Sequence, residues 1–124
     1  MLRPGGVLAV CSPDWGGFLL APPSDELAGA IAAYTSLQTR NGGDVCAGRK
    51  LPGLLSEAGC EDIQPLARYE IYESLELIGN YLALQLEGEG ESTHASTLRE
   101  WARCLYGMFA QAWVSCTGRK PTGD

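Results

Sequence analysis

The chain has 124 residues, 45% of them hydrophobic, and a formal net charge of −6. This suits one globular domain and excludes a disordered chain. No run of Lys and Arg exceeds two residues, so a nucleic-acid or anionic-membrane surface is not expected. The apolar stretches fall short of the roughly 20 residues a membrane helix needs. The amino terminus shows no signal-peptide h-region, and the expectation is a cytoplasmic protein. The five cysteines, Cys11, Cys46, Cys60, Cys104 and Cys116, are odd in number and widely spaced, beside a single His. Neither a metal site nor a disulfide framework is expected from them. Most read as small buried hydrophobes in a reducing compartment, with Cys11 in the setting of a possible reactive thiol.

In chain order, Pro4-Gly5-Gly6 makes a tight turn, because Pro fixes φ and Gly supplies a positive one. Residues 7–11 form an apolar, β-branched run, which predicts a strand buried on both faces, as in a parallel sheet. A loop from Ser12 to Gly17 follows its carboxyl end. Ser24 caps a helix over 24–39, with Asp25 and Glu26 in the first turn and Leu27, Ile31 and Tyr34 on one stripe. A second helix spans 49–58, with Pro52 in its first turn and Gly59 at the left-handed cap. A strand over 63–72 follows, where Pro65 argues for an edge or a bulge. Leu75, Ile78, Leu82 and Leu86 line a helix over 74–86. Residues 87–96 read as a flexible acidic linker. Thr97 and Glu100, at capping-box spacing, open a helix over 97–106. A strand over 108–117 and a polar tail end the chain.

Three of these stretches carry a resemblance. Leu2-Arg3-Pro4-Gly5-Gly6 with its apolar strand resembles the third motif of class I S-adenosylmethionine-dependent methyltransferases, which introduces the fifth strand of a seven-stranded Rossmann-like sheet. Gly48-Arg49-Lys50-Leu51 through Leu54-Leu55-Ser56-Glu57-Ala58-Gly59-Cys60 resembles that family's last large helix. Phe109 to Pro121 resembles its closing strand. Periodicity alone gives an α/β fold. The resemblance implies a partial Rossmann-like sheet of the last three strands, the final one inserted antiparallel between the other two, with flanking helices. It also implies S-adenosylmethionine as cofactor. The family's glycine-rich cofactor loop and its acidic partner do not occur in this sequence, so residues 1–124 look like the carboxyl-terminal part of such an enzyme, inactive alone.

The sharpest site candidates are Asp14 and Trp15, since loops beyond the carboxyl ends of strands carry ligands in open α/β sheets. On one reading they wall a substrate pocket, Trp15 as an apolar face and Asp14 as an acceptor or base. On the other, Asp14 caps a turn and Trp15 packs on the next helix. Arg49, with Lys50, stands where it could reach an anionic substrate at a helix N-terminus, although solvation is the commoner fate. Tyr34, Tyr69, Tyr72 and Tyr81 are pocket candidates or half-buried tyrosines. Trp113 reads as core. His94 would be the natural general base, in a loop-like setting. The catalytic residues stay unassigned, because methyl transfer from an activated sulfonium asks mainly for positioning. The expected function is methyl transfer to a small-molecule acceptor. The alternatives are a non-enzymatic α/β remnant that associates through its open strand edge, or the tail of another Rossmann-like enzyme.

Overall fold

The last strand stands in the middle of the sheet. A computed structural model describes residues 3–122; Leu2 of the Leu-Arg-Pro-Gly-Gly motif and the final two residues of the tail lie outside them. Strands β1 (Val7–Ala21), β2 (Glu61–Ile71) and β3 (Met108–Arg119) hydrogen-bond in the order β1-β3-β2, with β3 antiparallel to both neighbours. The helices are α1 (Asp25–Arg40), α2 (Leu51–Glu57), α3 (Leu75–Glu87) and α4 (Ser92–Ala102). A 3₁₀ turn over Ala47–Lys50 leads into α2.

Side chains alternate along a strand, so Cys116 and Phe109 on β3 point to opposite faces. On the first face Leu51 and Leu55 of α2 close over Cys116, Leu8, Val10, Ile63 and Val114. On the second, α1, α3 and α4 bury Leu27, Ile31, Leu82, Leu86, Leu98 and Trp101 around Phe109. Helices therefore flank the sheet on both sides, and the sheet is open at both edges.

Three expectations change. Residues 7–11 are not buried on both faces: Val7, Ala9 and Cys11 are exposed while Leu8 and Val10 are half-buried. The reason is position, since β1 pairs antiparallel and on one side only, and α2 covers a single face. The strand also does not stop at Cys11. It continues to Ala21, passing through the expected loop as a bulge in which Trp15 to Phe18 face the single residue Gln111. Finally, the acidic linker is shorter than residues 87–96. The helix begins at Ser92 and ends at Ala102, because Ala95 extends the buried stripe of Leu98, Trp101 and Ala102 by a turn. Thr97 and Glu100 lie inside α4, where the Thr97 hydroxyl donates to Thr93 O at 3.2 Å.

The other boundaries move by a residue or two. Ser24 accepts the α1 cap bond from Leu27 N at 3.0 Å. Gly5 and Gly59 take φ of 80° and 89° in their turns. Pro65 lies on the edge strand β2, where a missing N–H costs no ladder bond. Of the cysteines only Cys116 is fully buried; Cys11 is exposed and the remaining three are intermediate. No helix is long and apolar enough to cross a membrane, among the described residues.

Candidate functional site

The β1 bulge delivers Asp14 to Arg49. Asp14 is 5% exposed and its carboxylate accepts four hydrogen bonds. Arg49 Nε donates to Oδ2 at 2.7 Å and Nη2 to Oδ1 at 2.8 Å, the two-pronged geometry that guanidinium and carboxylate share. The backbone N–H of Arg49 adds a bond to Oδ2 at 3.2 Å and that of Gly16 one to Oδ1 at 2.8 Å. Two glycines make room for the pair. A Cβ on Gly48 would meet Ser12 O at 2.9 Å, and one on Gly16 would meet Arg49 Nη2 at 2.1 Å. The Arg49 hydrogen bonds, aided by the two backbone N–H groups, pull the Asp14 pKa down to about 2 against the opposing effect of burial. Asp14 is thus an engaged anion at neutral pH, with little capacity to act as a base. Arg49 holds it through Nε and Nη2.

Trp15 leaves the bulge toward the helices. Its ring lies 5.1 Å from that of Tyr34, 5.6 Å from Phe109 and 5.9 Å from Phe18. Phe109 is the hub, touching Phe18, Tyr72 and Trp101 as well. Burial, with Tyr81 and Tyr72 nearby, pushes the Tyr34 hydroxyl up to about 12. Tyr69 has a different task, its hydroxyl donating to Gly17 O at 2.7 Å across the central strand. His94 sits on α4 with its ring beside Gly29 of α1. The three candidates Asp14, Trp15 and Arg49 therefore cluster about the bulge. Asp14 and Arg49 bind each other, and Trp15 packs into the aromatic core.

A cleft opens elsewhere, just beyond the carboxyl end of β1. It measures about 550 Å³ and is lined by Pro22 and Pro23 after the strand, Glu26 and Leu27 of α1, and Glu100 and Trp101 of α4. Ser24, Thr97 and Cys104 complete its wall. The Trp101 indole N–H donates to Ala21 O at 3.0 Å, which pins α4 to the strand end. Its volume falls within the range of small-molecule sites, about 300–1,000 Å³. The candidates Asp14 and Trp15 lie earlier on β1 than this cleft, because the strand runs on to Ala21. Glu26 and Glu100 carried only helix-capping signals, and nothing local announces that they face one cleft.

No known protein-family model matches the chain, and no curated protein matches it significantly.

Gly42 and Gly43 follow α1, and Gly16 and Gly17 belong to the β1 bulge. Among the described residues no Gly-x-Gly-x-x-Gly turn is present to hold S-adenosylmethionine.

Proposed function

We propose that this chain is the carboxyl-terminal part of a cytoplasmic class I S-adenosylmethionine-dependent methyltransferase, contributing the acceptor cleft while an upstream segment holds the cofactor. The observation that supports the reading is the strand order β1-β3-β2 with an antiparallel central strand, the order that the resemblance implies. The cleft beyond the carboxyl end of β1 offers a place for the acceptor. Within this chain Trp101 fixes the cleft floor, the aromatic core under Trp15 stiffens the bulge, and Asp14–Arg49 ties the bulge to the turn before α2.

The coding sequence upstream of Met1 tests the reading. A strand followed by Gly-x-Gly-x-Gly about a hundred residues earlier, in frame, is the expected result. A stop codon just upstream contradicts it. One observation favours a second reading, a non-enzymatic module that associates with another chain. The first half of β1, Val7 to Ser12, lies at an open edge with no charged side chain and no proline to blunt it.

A further inference from the structure

We propose that the cleft at the carboxyl end of β1 binds an organic cation: an amine, protonated at neutral pH, carried on an apolar body. As the class of methyl acceptor, this rests on the methyltransferase reading; as binding, it stands without it.

The walls of the cleft divide by chemistry. Pro22, Pro23 and Cys104 supply the accessible apolar surface, over the buried Leu27 and Trp101. Among the described residues, the ionisable oxygens on the wall are the carboxylates of Glu26 and Glu100, and no Lys, Arg or His lines it. Both glutamates are exposed, and among the described residues neither has a cationic partner of the kind that Glu87 has in Arg99 and Asp14 in Arg49. They come from different helices, Glu26 from the first turn of α1 and Glu100 from the last turn of α4. The amino end of α1 brings a partial positive charge to the rim, and the adjacent acids Asp25 and Glu26 offset it. The Ser24 hydroxyl accepts from Leu27 N.

An anion entering the cleft would meet two carboxylates and find no cation. A neutral apolar molecule would gain the proline and Cys104 surface only. A cation with an apolar body gains that surface and the two carboxylates.

Three probes of one size decide the matter: 2-phenylethylammonium, 2-phenylethanol and 3-phenylpropionate, each titrated into this chain and followed by heat and by the Trp101 indole N–H resonance. The ammonium is expected to bind and to shift that resonance, the alcohol to bind more weakly, and the carboxylate not to bind. Glu26→Gln and Glu100→Gln should each weaken ammonium binding about fivefold, the order of an exposed charge pair. Glu76→Gln, on α3 outside the cleft, should leave it unchanged. Circular dichroism of the glutamine variants checks that the fold is intact. Equal or tighter binding of 3-phenylpropionate, or an undiminished ammonium affinity in the double glutamine variant, overturns the proposal. Ammonium binding without methyl transfer by the upstream-extended protein overturns the enzymatic reading alone. Methyl transfer with no preference for the cation overturns this inference alone.

Discussion

Asp14, a candidate acceptor or base by its place in the sequence, is held by Arg49 in the structure. A nearly buried carboxylate needs every lone pair met, and here Arg49 and two backbone N–H groups meet them. Asp14→Asn keeps the shape but weakens those acceptors, and it should cost about 1–3 kcal/mol. Urea unfolding would read this, and an unchanged midpoint would mean that the pair is not formed in solution. The pH dependence follows from the same contacts. The pKa is about 2 in the folded chain against 3.8 as a model value, so the unfolded chain binds the proton more readily. The stabilisation is complete above about pH 5 and is lost as the pH falls through 3.8 toward 2. Because Arg49 is 58% exposed, solvent screening holds that loss to about 1–2 kcal/mol. The acid limb of the stability curve should flatten in Asp14→Asn. Trp15→Ala removes a ring packed on three others and should cost about 3 kcal/mol. Little of this pairing is legible locally, since Asp14 and Arg49 are 35 positions apart and only the fold brings them together.

Among the elements, the α3–α4 pair carries the sharpest steric test. A Cβ on Gly79 would lie 2.6 Å from Ala102 Cβ and 3.2 Å from Leu98 O, so the two helices approach because Gly79 has no side chain. Gly79→Ala should therefore destabilise by about 1–3 kcal/mol through overpacking, despite the roughly 1 kcal/mol that alanine gains in helix propensity. Gly53 of α2 is the control: a Cβ there meets nothing within 4 Å. Gly53→Ala should stabilise by about 0.5–1 kcal/mol. Thermal unfolding of both variants checks the signs, and equal signs would contradict the packing described. Elements with local causes were legible from sequence: α1 from its Ser24 cap and stripe, α3 from its leucines, β3 from its apolar run. The rest had non-local causes. Pro13 and Gly16-Gly17 read as a loop because their local preference is to turn, yet pairing with the twelve residues of β3 holds β1 extended through a bulge. The start of α4 was hidden because Ala95 is a weak apolar signal until Leu98 and Trp101 bury it against α1 and α3.

At the scale of the whole molecule, the sheet is three strands with both outer edges open. Pro65 blunts the β2 edge, and the bulge with Pro13 blunts the second half of β1. Val7 to Ser12 keeps a regular, uncharged edge with Val7 59% exposed. The isolated chain should accordingly self-associate as its concentration rises, which light scattering would follow; a monomer at all concentrations would mean that this edge is protected. The same incompleteness bears on the cofactor, because the sequence has no Gly-x-Gly-x-x-Gly pattern. The central claim, that this is the acceptor-binding part of a methyltransferase whose cofactor site lies upstream, is tested most directly by calorimetric titration of S-adenosylmethionine into two proteins, this chain alone and the chain extended by its upstream coding sequence. Binding by the extended protein and none by the chain alone is the predicted result. Micromolar binding by the isolated chain as a monodisperse monomer, or no binding by the extended protein, would contradict it.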